Sequence, residues 1–224
     1  EGYVRQQVKA IEITEEMQET GLFQLLSQSD SVCFVGDSIT AGSKNGGYGW
    51  YEPLMAAFPD QVVYREAWGS ATTLTLLAQG DTVAAHGADL YVIAIGTNDV
   101  RYRDEKTCAM TSREYVDNID CLAAKILYDN PRANLVFISP WLALDNDPYT
   151  AVSMIKRDQM LNEYGEKLRL YCKRKGFSFI NPNPAIRGVL TRYPPTDYLL
   201  DHIHPNSRAG ICLYSEMVLT ESLP

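Results

Sequence analysis

The sequence predicts an α/β sandwich built on a five-stranded, mainly parallel sheet, and three observations carry that reading. From residue 31 onward, short apolar runs alternate with longer segments of helical period. Two of the runs, "DLYVIAIG" (89–96) and "NLVFISP" (134–140), are almost continuously apolar, as strands covered on both faces are. Polar, glycine-bearing stretches follow the first three runs, at the strand ends where such sheets place their ligand-binding groups.

Residues 1–30 precede the alternation and read as an N-terminal helical extension. Val4, Val8 and Ile11 recur at helical period, and Leu22, Phe23, Leu25 and Leu26 form a second apolar group. The main domain then spans 31–224. Its strands are "SVCFVG" (31–36), "QVVYREAW" (61–68), the two runs above, and "FSFINPN" (177–183). Helices are expected in "GWYEPLMAAF", "TTLTLLAQGDTVAAH" and "SREYVDNIDCLAAKILYDN". A longer one follows in "AVSMIKRDQMLNEYGEKLRLYCKRKG", where Met154, Ile155, Met160, Leu161, Tyr164, Leu168 and Tyr171 mark an apolar face. Gly176 is placed to stop that helix, and "SRAGICLYSEMVLTESL" closes the chain as another.

Composition narrows the function classes. A formal net charge of −8 over 224 residues argues against a nucleic-acid partner, which needs clustered Lys and Arg. The one dense basic run, Lys173-Arg174-Lys175, sits at an expected helix end, where cations complement the dipole. No apolar run approaches the ~20 residues that span a bilayer. The start at Glu1 shows no basic-then-apolar leader, so the expectation is cytoplasmic by default, with an upstream leader or domain left open. Five cysteines without a CxxC pair read as reduced thiols, mostly buried, and no metal or cofactor is expected. Oligomeric state is not legible.

The strand ends carry the chemistry. Gly36-Asp37-Ser38 follows the first strand, Trp68-Gly69-Ser70 the second, and Gly96-Thr97-Asn98-Asp99 the third. Before the last helix lies "DHIHPN", with Asp201, His202 and His204. These are the parts of a serine nucleophile, its base, an acid that orients the base, and an oxyanion hole. Asp201 precedes His204 by three residues, so one turn brings the carboxylate to the imidazole and leaves the other ring nitrogen for Ser38. Pro205 restricts the backbone of His204. Of the three histidines, His86 reads as a surface cap near a helix end. The backbone N–H groups of Ser38 and Gly69 and the side-chain amide of Asn98 are candidate oxyanion donors. Asp37 is expected to hold its turn through backbone hydrogen bonds and to border the substrate.

Together these stretches resemble the SGNH hydrolase family, the GDSL esterases and lipases. "FVGDSITAG", "IAIGTND" and "DHIHPN" are similar to its first, third and last blocks, over roughly residues 31–219. The second block, "EAWGSATT", departs from the family pattern, so either Gly69 or Ser70 supplies that donor. The resemblance implies a flavodoxin-like three-layer α/β/α sandwich. It also implies Ser38 as nucleophile, His204 as base, Asp201 as its orienter, and Gly69 and Asn98 as oxyanion donors.

The expected activity is hydrolysis of small acyl esters, acetyl above all, on a carbohydrate. The chain has 14 Tyr against 6 Phe, and Tyr48, Trp50, Tyr51, Trp141, Tyr149, Tyr193 and Tyr198 lie in or near expected loops. Trp50, Trp68 and Trp141 are candidate substrate contacts, Trp68 being equally a core residue. The glycines from Gly42 to Gly49 read as a mobile pocket wall. The alternatives are a lysophospholipase or thioesterase, an O-acetyltransferase using the same residues, and a non-catalytic binding module on the same sandwich.

Overall fold

The computed structural model describes residues 7–101 and 110–222. Five parallel strands form one sheet: β1 (Ser31–Gly36), β2 (Val62–Ala67), β3 (Leu90–Ala94), β4 (Asn134–Ile138) and β5 (Ser178–Ile180). Their order across the sheet is β2-β1-β3-β4-β5, the doubly wound order of the flavodoxin type. The chain reverses its direction of winding between β1 and β3. The crevice at the carboxyl ends of those two strands is therefore where a ligand site belongs.

Alternate side chains of each strand enter different cores. Phe34, Val92 and Val136 face one side, with the helices α1 (Glu15–Gln18), α2 (Gly21–Ser27), α3 (Ser38–Ala41) and α4 (Glu52–Met55) contributing to that layer. Cys33, Val35, Ile93 and Phe137 face the other, covered by α5 (Thr73–Ala78), α6 (Gly80–Ala85), α7 (Ser112–Asp129) and α8 (Met154–Lys175). The helices α9 (Asn183–Arg192) and α10 (Ala209–Thr220) complete the first layer, with Leu190 and Val218 buried there.

Several expectations are corrected. No helix occurs over the described residues 7–14; Ile11 is buried and its N–H donates to Pro53 O at 3.1 Å, while Val4 lies outside the described residues. Leu22 and Leu26 of α2 enter the same core as α10, and Leu22 N–H donates to Ser222 Oγ at 2.6 Å. The single helix expected over 72–86 is two, meeting at Gln79. The apolar face of α8 is the expected one at Leu161, Tyr164, Leu168 and Tyr171 but differs at its start, where Ile155 is 68% exposed and Arg157 takes a buried position. Helix α9 was not anticipated, although Pro184 in its first turn and the buried pair Ile186 and Leu190 are the ordinary signals.

Candidate active site

The crevice at the β1/β3 switch point is built by close backbone approach. A side chain at Gly36 would place a Cβ 2.6 Å from Ala94 O, so only glycine lets β1 run tightly against β3 to its end. Asp37 then caps α3, its Oδ1 accepting from Ile39 N–H at 3.0 Å, and Ser38 becomes the first helical residue. On the neighbouring strand, Gly96 has φ +129, and a Cβ there would lie 2.6 Å from Pro140 Cγ. The tight bend delivers Thr97 and Asn98 to the crevice, and Thr97 is tied down by donating to Trp141 O at 3.0 Å.

Ser38 Oγ lies 3.0 Å from His204 Nε2, and His204 Nδ1 lies 2.8 Å from Asp201 Oδ2 and 3.0 Å from Asp201 Oδ1. The carboxylate is fixed from behind by the backbone N–H groups of Ile203 (2.9 Å) and His204 (2.8 Å), both donating to Oδ1. Lys44 Nζ donates to Oδ2 at 2.7 Å. Burial alone would raise the Asp201 carboxyl, but Lys44, the two backbone donors and the imidazole hold it well below the usual carboxylate range. The arrangement can take a proton from the hydroxyl, hold it on the ring, and balance the resulting charge.

Three donors border the same space. Ser38 N–H and Gly69 N–H carry no hydrogen bond among the described residues. Asn98 Nδ2 gives one hydrogen to Ala71 O at 3.0 Å, leaving the second available. Ser70, beside Gly69, has the left-handed φ of 58. All line a cleft of about 260 Å³, together with Lys44, Arg101, Asp147, Tyr149, Arg157 and His202.

The buried carboxyl at Asp37 borders the cleft but is 1% exposed, and its Oδ2 has no partner among the described residues. Burial pushes its pKa up to about 7, with the nearby Asp99 carboxylate adding to the effect. Asp99, wholly buried, is pushed up to about 6 by desolvation, opposed by the hydrogen bonds from Thr73. His202 borders the cleft with its pKa lowered by burial, and its Nδ1 stands 3.9 Å from Asp201 Oδ1. His86 caps α6 away from the cleft, 2.6 Å from Glu66 Oε1.

The tryptophans expected as substrate contacts do not reach the cleft. Trp50 and Trp141 are 0% and 1% exposed and pack edge-on against one another inside the core, between Phe34 and Tyr214. Large apolar rings at a loop–sheet junction gain more from complete burial than from a wet rim. Trp68 packs, partly buried, on the opposite core. The glycine-rich loop is also different from expectation, because side chains tie it down. Arg65 Nη1 donates to Ala41 O and Gly47 O, and Asn45 Nδ2 donates to Tyr48 O and Pro205 O. Lys44 and Arg157 were not singled out as site residues. A lone arginine at the apolar period of α8 was the available signal for the second.

The sequence profile of the GDSL-like Lipase/Acylhydrolase family matches residues 34–209. No curated protein matches the chain in sequence. Among solved structures, a protein described as a GDSL-like lipase from Parabacteroides merdae superposes with TM-score 0.69 at 18% identity, over 85% of this chain and 94% of its own. The acetylxylan esterase Axe2 from Geobacillus stearothermophilus gives 0.61 at 21% identity, over 86% and 93%. LAE5, an α/β hydrolase enzyme from the metagenome of Lake Arreo, gives 0.64 at 22%, over 86% and 94%. These likenesses establish a common fold, and the profile match across most of the sheet and its carboxyl edge places the chain in the GDSL-like lipase/acylhydrolase family of serine ester hydrolases.

Proposed function

We propose that this protein removes small acyl groups, acetyl above all, from a carbohydrate by two-step acyl transfer. Ser38 Oγ attacks the ester carbonyl as His204 Nε2 takes its proton, and Asp201 stabilises the imidazolium. The oxyanion is held by Ser38 N–H, Gly69 N–H and Asn98 Nδ2. The alkoxide leaves with the proton from His204. Water, deprotonated by the same ring, then attacks the acyl-enzyme and releases the acid with Ser38 restored.

The observation that carries the reading is the continuous relay Ser38–His204–Asp201, with contacts of 3.0 and 2.8 Å. Acyl size follows from the lining. Of the described side chains around the cleft, only Ile39 and Ile203 are aliphatic, which gives a long acyl chain little to lie on. The sugar reading is supported by Tyr149 at the rim, 84% exposed, whose ring can stack on a pyranose while its hydroxyl stays wet. Acetylxylan esterase activity is a property of the Axe2 neighbour, and it is compatible with a cleft of this kind.

The test is a series of p-nitrophenyl esters from acetate to long chains, followed by acetylated sugars. Acetate is expected to be hydrolysed fastest, with a steep fall as the chain lengthens. Ser38→Ala is expected to keep the fold and lose nearly all turnover. Long-chain preference, or activity retained in Ser38→Ala, overturns the proposal.

A further inference from the structure

This inference rests on the ester-hydrolase reading of the cleft and concerns what the substrate carries besides its ester. The chain has a formal charge of −8, yet Lys44, Arg101 and Arg157 all stand in the cleft wall. Lys44 is committed to Asp201 at 2.7 Å. Arg157 is in a different situation. It is 4% exposed, and its ion pair among the described residues is one 3.3 Å contact from Nη1 to Asp147 Oδ2. Its Nε is buried without a partner among the described residues.

A guanidinium presents five N–H donors in a rigid planar fork. Burying one costs several kcal/mol unless acceptors take those donors up. Asp147 takes up little of this, because its Oδ1 already accepts from Tyr149 N–H at 2.9 Å. Arg101 adds to the deficit. It is exposed, and its positive charge, after burial and against the attraction of Asp147 and Asp158, disfavours the charged form of Arg157. Two arginines at one small cleft, the buried one short of acceptors, form a receptor for an anion.

We propose that the cleft selects esters whose sugar carries a carboxylate, as an acylated uronic acid does. Arg157 is the specificity residue that donates to that carboxylate, and Arg101 adds longer-range attraction. A single carboxylate suits the site better than a doubly charged phosphate, because Asp147 also borders the cleft and would repel the second charge.

The experiment compares the mono-O-acetylated methyl glycoside of glucuronic acid, its carboxylate free, with the mono-O-acetylated methyl glucoside. Wild-type kcat/KM is expected to favour the acidic ester by about tenfold or more, as one charged hydrogen bond gives. Arg157→Gln is expected to bring that ratio close to one. Free D-glucuronate is expected to inhibit p-nitrophenyl acetate hydrolysis competitively where D-glucose does not, with Arg157→Lys weakening it less than Arg157→Gln. Calorimetric titration of the Ser38→Ala protein with D-glucuronate needs no turnover. It decides this inference even if the ester reading fails, and if Arg157→Gln does not fold. Equal turnover of the two esters with no glucuronate binding overturns the proposal.

Discussion

Lys44 Nζ lies 2.7 Å from Asp201 Oδ2, the same oxygen that stands 2.8 Å from His204 Nδ1. An ammonium and an imidazole thus share one acceptor, while the other carboxylate oxygen takes two backbone N–H groups. Lys44 is held in this place at a left-handed φ of 67, uncommon for a residue with a side chain. Its cation favours an ionised Asp201. Lys44 is therefore a positioning residue for the proposed base.

Lys44→Met removes that cation and leaves the His204 contacts in place. With that donor gone the Asp201 carboxylate is held less firmly against the ring, so kcat/KM is expected to fall severalfold with KM nearly unchanged. Lys44 is half exposed, so the loss is modest and shrinks as salt is added. A kcat/KM identical to wild type would reduce Lys44 to a surface ion pair.

Asn98→Ala removes one oxyanion donor and the bond to Ala71 O. The expected loss is about 10²-fold in kcat, with KM nearly unchanged, because the donor acts on charge that develops only in the transition state. A KM effect with intact kcat would place Asn98 in ground-state binding instead.

Gly69 offers a test that separates stability from function. A Cβ there would meet only Ser43 Oγ, at 3.8 Å, so Gly69→Ala is expected to leave the melting temperature within a few degrees of wild type. The new methyl occupies room beside the proposed oxyanion. Activity is expected to fall while stability holds, and full activity would move the second-block donor to Ser70.

The buried carboxyls predict a pH dependence of stability. Asp37 and Asp99 have folded pKa values raised to about 7 and about 6, so the folded state binds their protons more tightly than the unfolded chain does. Their contribution is fully present below about pH 4, the unfolded carboxyl value, and is lost as pH rises through 6 and 7. Asp201, depressed, acts in the opposite sense and is lost only at strongly acid pH. Denaturant unfolding is expected to show stability declining between pH 4 and 8. Asp37→Asn keeps the cap on α3 and is expected to reduce that decline by about 4 kcal/mol. An unchanged slope would mean that Asp37 stays ionised when buried.

The sheet was legible in the sequence because its signal is local. Val32 through Val35, and Leu90 through Ala94, are uninterrupted apolar runs, and the polar groups that end them are read in place. His204 and Asp201 were legible for the same reason, being three residues apart. The loops were not, because their contacts are distant. Trp50 and Trp141 sit beside glycine and proline and look exposed, but they meet one another across the core. Lys44 gains its role only from Asp201, 157 positions away. Arg157 could be found only by treating a charge at an apolar period as a question about what it faces.

Ser38 and His204 are separated by 166 positions, and that distance has a meaning in time as well as in space. At the usual pace of translation, about 5–20 residues per second, the serine leaves the ribosome roughly ten to thirty seconds before the histidine that would activate it. During that interval the nascent chain holds an idle hydroxyl. Asn45, which reaches from the serine's own loop to Pro205 O at 3.1 Å, can close the site only when the last segment arrives. The site can therefore assemble only after the chain has been made through His204.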